Sequence, residues 1–200
     1  MYSKTVKEEF DSHILVLEQT VRESGQIISD LAVCIASCFQ RGNKLLICGN
    51  GGSAADAQHI AAEFINRFRF DRAALPAIAL STDTSVLTSI GNDSSYDNIF
   101  SRQVEALAED GDVFVGISTS GKSANILKAV EAAQTCGAIT IGFTGEKGRE
   151  TLGQMCNYCL IIPSSDTARI QECHEFAWHV ICGLVERTTF LAGNKRFTTP

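Results

Sequence analysis

Five short apolar runs limit this chain to a small set of folds. Each run is bounded by Gly, Ser, Thr or Pro, and segments with helical periodicity lie between the runs and after the last one. A continuous apolar run of this length indicates a strand buried on both faces, and strands that alternate with helices pair in parallel. We therefore predict a five-stranded parallel sheet between two layers of helices. The predicted strands are residues 44–48, 77–80, 113–117, 139–143 and 158–162, and the predicted helices are 54–68, 97–108, 123–135, 146–153 and 166–190.

The first 40 residues have helical periodicity without a strand. Apolar side chains recur every three or four positions over 5–24 and again over 27–39. This pattern predicts two amphipathic helices, whose apolar faces pack against a neighbouring subunit. The expected organisation is a helical pair for oligomerisation at 1–40, an α/β ligand-binding domain at 41–192 that includes the last helix, and a flexible tail at 193–200.

Length, charge and hydropathy exclude several classes of protein. Two hundred residues, 44% of them hydrophobic, suit one globular domain with a helical extension. No stretch approaches the roughly 20 apolar residues of a membrane span, and the start of the chain does not resemble a signal peptide, so we expect a cytoplasmic protein without a membrane partner. The net charge of −6 and the lack of a long basic tract argue against a nucleic-acid partner. They leave room for a small anion bound by local dipoles.

The eight cysteines are expected to be free thiols. Most of them lie within apolar helical or strand patterns of a chain without a secretion signal. Cys156 and Cys159 have CxxC spacing, but no second pair is suitably placed for a metal, and no helix start follows them as a redox motif requires. We therefore favour neither role for this pair.

Polar loops follow the first four predicted strands. They are residues 49–53, 81–83, 118–123 and 144–145. In an open parallel sheet, ligands bind beyond the carboxyl ends of the strands, where backbone N–H groups and helix N-termini are available. These loops are therefore expected to lie together around one ligand.

The loop at 118–123 has the composition of a phosphate site. Its three serines and one threonine lie at a strand-to-helix turn, so several hydroxyl groups meet the positive end of a helix dipole. An ordinary helix cap would need only one hydroxyl, which makes phosphate binding the better interpretation. Residues 116–123 also fit the Walker A pattern G-x-x-x-x-G-K-S, with Asp83 as a candidate magnesium ligand. This nucleotide-binding alternative is less favoured because it leaves the other motifs unexplained.

Ionisable side chains are concentrated on two predicted helices. His59 and Glu63 are four residues apart, on one face of the helix after the glycine-rich loop, and can share a proton or a metal. The last helix carries a second polar set along one side, made up of Gln171, His179 and either His174 or Glu175. Beside a phosphate loop, this concentration of histidines indicates a site rather than solvated side chains.

Taken together, these motifs resemble the sugar isomerase (SIS) domain family, whose members bind phosphosugars. The resemblance covers about residues 1–190 and implies a flavodoxin-like three-layer α/β/α sandwich and a homotetramer. It also implies isomerisation of sedoheptulose 7-phosphate to D-glycero-D-manno-heptose 7-phosphate, a step toward ADP-heptose and the lipopolysaccharide core. The segments that carry the resemblance are 48–53, His59 with Glu63, 91–93, 112–123, 169–174 and His179.

The resemblance implies roles for individual residues. One zinc ion per subunit is the implied cofactor, because His59, Glu63, Gln171 and His179 match the positions that bind zinc in some of these isomerases. No role is implied for Lys122. The residues implied to hold the phosphate and the sugar are Asn50, Gly51, Gly52, Ser53, Asn92, Asp93, Ser118, Thr119, Ser120, Ser123 and Gln171.

Aldose–ketose chemistry by itself requires two positioned acid–base groups. Moving a carbonyl between C1 and C2 requires a base that takes a proton from one carbon and returns it to the other through an enediol, and Glu63 is our candidate. A second group must move protons between the oxygens or open the ring, and His179, a side chain that titrates near neutrality, suits that role. A zinc ion would polarise the substrate oxygens.

A non-catalytic relative is the main alternative within the family. Some members bind phosphosugars or associate with the DnaA replication initiator, and residues 50–59 and 65–68 are similar to those members. The resemblance gives them no acid at the position of Glu63 and no histidine at that of His179. Both residues therefore favour an enzyme. Five-, six- and seven-carbon ketose phosphates present the same reacting carbons, so the sequence leaves the sugar length open.

Overall fold

A computed structural model describes residues 2–191 and contains the predicted parallel sheet. Its strands are Leu45–Gly49 (β1), Ala77–Ala79 (β2), Val113–Ile117 (β3), Ile139–Gly145 (β4) and Tyr158–Ile162 (β5). All neighbouring strands are parallel, in the order β2-β1-β3-β4-β5. This is the flavodoxin-like order, so the predicted fold class is confirmed.

Seven α-helices of the described chain enclose the sheet and make it the middle of three layers. Buried side chains of α1, α2 and α7 form one apolar core with Val113 and Val115 of β3, and those of α4, α5 and α6 form a second core with Phe114 on the other face. The helices are Tyr2–Gln40 (α1), Gly52–Ile65 (α2), Thr84–Asp93 (α3), Ser101–Leu107 (α4), Ala124–Thr135 (α5), Leu152–Met155 (α6) and Thr167–Phe190 (α7).

The N-terminal region is one continuous helix, so the predicted pair of helices is wrong. The buried positions of α1 run without a break from Thr20 through Ser24, Ile28 and Leu31, and this stripe packs mainly on α7 and β5. Gly25 lies inside the helix, and a side chain there would meet nothing within 4 Å. The apparent break in the apolar pattern therefore lies away from the packed stripe, where it does not interrupt the helix.

Other helical segments also differ from the prediction. The segment predicted as one helix over 97–108 is a 3₁₀ turn, Tyr96–Asn98, followed by α4, and the segment 146–153 is a 3₁₀ turn, Glu146–Gly148, followed by the single turn α6. Helix α3 was not predicted, because its ten residues are rich in Ser, Thr and Gly and none of them is buried.

The predicted tail at 193–200 lies outside the described residues. Within residues 2–191, no helix combines the length and the apolar character needed to cross a membrane.

Candidate active site

The glycine-rich and serine-rich loops leave the sheet side by side. Gly49 at the end of β1 pairs with Ile117 at the end of β3, so the following loops begin at the same edge. The side-chain amides of Asn50 and Asn125 exchange hydrogen bonds of 2.9 Å and tie the glycine-rich loop to the start of α5. The Tyr96 hydroxyl donates to Oδ1 of Asn50 at 3.0 Å. The loops are thereby held as one unit.

Two glycines of this region make close contacts. A Cβ atom on Gly52 would lie 2.5 Å from Oε1 of Gln171, so a side chain at this position would displace the amide of Gln171. Gly121 has a φ of +67°, and a Cβ atom there would collide with the backbone of Gly148. Gly121 thus allows the serine-rich loop to pack closely against the backbone of Gly148.

The serine-rich loop turns its hydroxyl groups toward one another. Oγ of Ser118 lies 3.0 Å from Oγ of Ser123 and 3.5 Å from Oγ of Ser120. Ser118 and Ser120 also accept hydrogen bonds from the backbone N–H groups of Gly121 and Lys122. Ser123 occupies the N-cap position of α5, yet within the described chain its side chain makes no capping hydrogen bond. The start of α5 lies beside these hydroxyl groups, an arrangement that can bind an anion.

The Walker-like string lacks the environment of a nucleotide site. Lys122 is exposed and precedes the first helical residue, Ala124. The candidate magnesium ligand, Asp83, caps α3, because its Oδ1 accepts the backbone N–H of Val86 at 3.0 Å. Both residues therefore have ordinary structural surroundings.

The faces of α2 and α7 bring the predicted acid–base groups together around His59. Nε2 of His59 lies 3.3 Å from Oε1 of Glu63, and its Nδ1 lies 3.4 Å from Oε1 of Glu175. The ring centroid of His179 is 5.2 Å from that of His59. Phe68 stacks on the ring of His179, with a centroid distance of 5.5 Å and an interplanar angle of 9°. Glu63 and His179 thus lie on the same side of the molecule, and both are close to His59.

His174 has a structural environment instead. It is completely buried, packs edge-on against Phe143 and places Nε2 3.4 Å from the carbonyl oxygen of Thr144. Burial lowers the pKa of His174 to about 4, and the contact with Thr144 opposes this shift only in part. A neutral histidine in the core cannot reach a substrate, so His179 is the histidine of α7 that faces the site.

Gln171 and two carboxylates occupy the part of this face nearest to the glycine-rich loop. The side-chain amide of Gln171 donates to Oδ1 of Asp56 at 2.9 Å. The pKa of Asp56 is raised to about 6, chiefly by burial and also by the nearby carboxylate of Glu175, while the hydrogen bond from Gln171 and the nearby His59 oppose the rise. Among the described residues, Oδ2 of Asp56 and Oε2 of Glu175 are buried without a hydrogen-bond partner. The face thus carries excess negative charge, which favours a bound cation.

Asn92 and Asp93 lie in the last turn of α3. Both are exposed, and the side-chain amide of Asn92 donates to Asp93 at 2.8 Å. Asp93 contributes to a cavity of about 510 Å³ between α3 and α4. The other residues of that cavity are Ser89, Ile90, Ser94, Asn98, Ser101, Arg102 and Glu105. The serine-rich loop and the histidines do not line this cavity.

A buried ion pair holds the end of α2. Nε of Arg72 donates to Oε1 of Glu186 at 3.0 Å, and both side chains are 1% exposed. The same guanidinium donates to the backbone carbonyls of Glu63 and Phe64 at 2.7 and 2.6 Å. Glu186 in turn accepts the backbone N–H groups of Phe68 and Arg69. We call this network the Arg72–Glu186 clamp. It fixes the backbone of Glu63 and that of Phe68, whose ring stacks on His179.

Sequence reasoning missed several members of this site. Asp56 is three residues before His59, so helical spacing could have identified it. Glu175, four residues from both Gln171 and His179, was offered only as an alternative to His174 and received no role. Phe68, Arg72 and Glu186 had no comparable signal, because their contacts join segments that are distant in the chain.

The cysteines take no part in the site. All eight lie within the described residues and are free thiols, as predicted. Burial raises the pKa of both Cys156 and Cys159 to about 12, which makes them poor nucleophiles and poor metal ligands at neutral pH.

Comparison with known proteins identifies a matching family. The model of the SIS domain matches residues 10–145. Phosphoheptose isomerase from Roseiflexus sp. (strain RS-1) is 52% identical over 189 residues, which cover 94% of this chain and 95% of that protein. Phosphoheptose isomerase 2 from Campylobacter jejuni is 49% identical over 190 residues, 94% of each chain.

Solved structures give the same result. Phosphoheptose isomerase GmhA from Neisseria gonorrhoeae superposes with a TM-score of 0.87 at 40% identity, covering 93% of this chain and 99% of that one. A phosphoheptose isomerase from Francisella tularensis superposes with a TM-score of 0.88 at 36% identity, covering 94% and 99%. The similarity thus extends over nearly the whole length of both structures.

Proposed function

Because this chain belongs to the SIS domain family, we propose that it is a phosphoheptose isomerase that converts sedoheptulose 7-phosphate to D-glycero-D-manno-heptose 7-phosphate. The observation that carries the proposal is the placement of both Glu63 and His179 next to His59. An anion-binding loop lies at the same edge of the sheet and supplies the phosphate site. Substrates of other lengths share the reacting carbons, so the heptose assignment rests on the similarity to the isomerases.

The serine-rich loop holds the phosphate in this proposal. The hydroxyl groups of Ser118, Ser120 and Ser123 converge at the N-terminus of α5, where backbone N–H groups and the helix dipole favour an anion. The amide of Asn50, which the resemblance assigns to the sugar, lies next to this loop and is held there by Asn125. Tethering the far end of the sugar leaves its carbonyl end free to reach the face shared by α2 and α7.

Glu63 and His179 carry the proton transfers. The carboxylate of Glu63 removes a proton from one of the two reacting carbons and returns it to the other after the enediol has formed. The imidazole of His179 exchanges protons with the sugar oxygens, which must change protonation as the carbonyl moves. Phe68 covers one face of His179 and the Arg72–Glu186 clamp fixes the backbone of Glu63, so both groups are held in place before substrate arrives.

Zinc is the proposed cofactor. The resemblance assigns His59, Glu63, Gln171 and His179 to the metal, and the donor atoms of His59, Glu175 and His179 lie within 4.8 Å of one another. The two histidines belong to both sets, and the buried, unpartnered Oε2 of Glu175 fits a nearby cation. A bound zinc ion would act as a Lewis acid toward the substrate oxygens.

Metal removal should therefore lower activity. Protein purified without added chelator is expected to contain about one zinc ion per chain, measured by inductively coupled plasma mass spectrometry. Treatment with a strong chelator should reduce turnover, and added Zn²⁺ should restore it. Full activity of a preparation that contains no bound metal would remove zinc from the proposal.

A homotetramer in the cytoplasm completes the proposal. His59 and His179 are each 42% exposed in the single chain, whereas an enediol must be protected from water and side reactions. Apolar side chains of α1, including Val6, Phe10 and Val33, are also exposed. Both features support burial against further subunits.

The free thiols support a reducing compartment. The heptose product would serve lipopolysaccharide-core synthesis through ADP-heptose.

One incubation tests the activity. Pure protein is mixed with sedoheptulose 7-phosphate, and the sugars are followed by NMR beside an ATP-binding titration. We expect an aldose heptose 7-phosphate to form and ATP not to bind. Phosphosugar binding without conversion would overturn the enzyme in favour of a binding protein, and ATP binding without conversion would favour the nucleotide alternative.

A further inference from the structure

The last three residues of β4 support the serine-rich loop, and we call them the β4 end. The backbone N–H of Ser118 donates to the carbonyl oxygen of Phe143 at 2.9 Å, and that of Gly145 donates to the carbonyl oxygen of Thr119 at 3.1 Å. Thr144, between the two bonded residues of the strand, is completely buried. Any shift of the β4 end would therefore move the first two residues of the proposed phosphate site.

Two side chains of α7 pack on the β4 end. The ring of His174 lies edge-on against that of Phe143, with centroids 5.4 Å apart, and its Nε2 lies 3.4 Å from the carbonyl oxygen of Thr144. One helical turn earlier, Ile170 lies so close to Gly145 that a Cβ atom on this glycine would collide with it. Ile170 and His174 are both buried, so α7 lies directly against the strand that supports the loop.

The same turns of α7 carry the polar face of the candidate site. Gln171 directly follows Ile170, and Glu175 directly follows His174. His179 is five residues beyond His174, about 7.5 Å farther along the helix axis. Because an α-helix is rigid over so short a distance, the placement of its buried side fixes the placement of its polar side. Helix α7 therefore connects the proposed phosphate site with His179.

Core packing alone does not account for an imidazole at position 174. The low pKa of His174, a result of burial, keeps the ring neutral, so it has one N–H group. A carbonyl oxygen can only accept, so Nε2 is the nitrogen that donates to Thr144. Nδ1 is then an acceptor, and within the described chain it is buried without a partner. An apolar side chain of similar size would avoid this unpaired acceptor.

We propose that His174 is a positioning residue: by donating its Nε2–H to Thr144, it fixes the distance between the serine-rich loop and the polar face of α7. This inference rests on the proposed isomerase function. A sugar tethered by its phosphate meets Glu63 and His179 in a reactive geometry only if this distance is right, and a misplacement of about 1 Å can cost roughly a hundredfold in rate. His174 acts through the β4 end and touches no reacting atom.

Steady-state kinetics of His174→Leu and His174→Gln test the proposal. Leucine fills a similar volume without a donor, so kcat should fall by about tenfold or more. The amide nitrogen of glutamine is as many bonds from the backbone as Nε2 of histidine, so glutamine should restore most of kcat. Inorganic phosphate is tested as a competitive inhibitor. Its inhibition constant should stay within a few-fold in both variants, because the β4 end and Thr151 still hold the loop.

Amide hydrogen exchange tests the contact without reference to turnover. Loss of the bond in His174→Leu should speed exchange in peptides that cover residues 116–123 and 141–147, and glutamine should slow it again. Ile181→Val removes one methyl group from a buried side chain of the same helix. It controls for a general loosening of the core and should leave both kcat and these exchange rates unchanged. Circular dichroism and unfolding midpoints show that each variant is folded.

Three results would overturn the positioning role. They are an unchanged kcat in folded His174→Leu, a glutamine variant as slow as the leucine variant, and unchanged exchange in the two peptides. If the unsubstituted protein does not convert the sugar, the proposed function fails, and hydrogen exchange still decides whether His174 holds the β4 end. If the unsubstituted protein converts the sugar and His174→Leu keeps its rate, only the present inference fails.

Discussion

Replacing Glu63 with Gln is expected to lower kcat by about a hundredfold or more, because the amide cannot accept the proton that must move between the two carbons. The substitution preserves the size of a side chain that is 24% exposed, so the fold and the phosphate site should persist. KM should consequently change far less than kcat. Steady-state kinetics with NMR or coupled detection of the aldose product measures both constants.

The serine-rich loop provides the contrasting control. Ser120→Ala combined with Ser123→Ala removes two of the clustered hydroxyl groups that form the proposed phosphate site, so KM should rise, while the acid–base groups stay in place. If Glu63→Gln turns over at nearly the normal rate, Glu63 is not the base. If the double serine variant responds to sugar-phosphate concentration as the original protein does, the anion binds elsewhere.

Replacing Arg72 with Met should produce the largest loss of stability. The substitution leaves the Glu186 carboxylate buried without its charged partner, and breaking a buried pair in this way costs about 3–5 kcal/mol. It also removes the donors to the carbonyls of Glu63 and Phe64. Urea unfolding at one fixed protein concentration measures the change, since association would otherwise shift the midpoint.

An exposed pair serves as the control for this substitution. Arg102 and Glu105 form an ion pair whose side chains are 72% and 52% exposed, so Arg102→Met should change the unfolding free energy by less than about 1 kcal/mol. Combining Arg72→Met with Glu186→Leu should recover little stability. Glu186 accepts the backbone N–H groups of Phe68 and Arg69, which leucine would leave unpaired. A loss below about 1 kcal/mol in Arg72→Met would show that the clamp is not a stabilising element.

The clamp also connects stability with catalysis. Its hydrogen bonds fix the backbone of Glu63, and its acceptor Glu186 fixes the backbone of Phe68, whose ring stacks on His179. Sequence inspection could not identify it, because Arg72 and Glu186 are 114 residues apart and neither lies in a recognisable motif. Two charged residues in an otherwise ordinary loop and helix resemble solvated side chains until their burial is known.

The amino-acid sequence by itself determined the layers of this protein. Strands such as Val113–Ile117 were predicted with correct boundaries because a run of apolar residues can only be satisfied by burial on both faces. The two loops at the strand ends were likewise predictable, since parallel strands bring their carboxyl ends to one edge. Helix α3 and the continuity of α1 were not predicted. Local composition at Thr84–Asp93 and at Gly25 does not favour a helix, and the packing of the whole fold overrides this weak local preference.

Only the tertiary structure decided which side chains of the two polar helices meet. His174 and His179 are equivalent in sequence terms, yet one is buried beside Phe143 and the other faces His59. Glu175 had no assigned role, although it contacts both histidines of the site. The physical reason is that periodicity fixes which residues share a helix face, whereas the angle and rotation at which α2 and α7 pack determine which of those residues come within bonding distance.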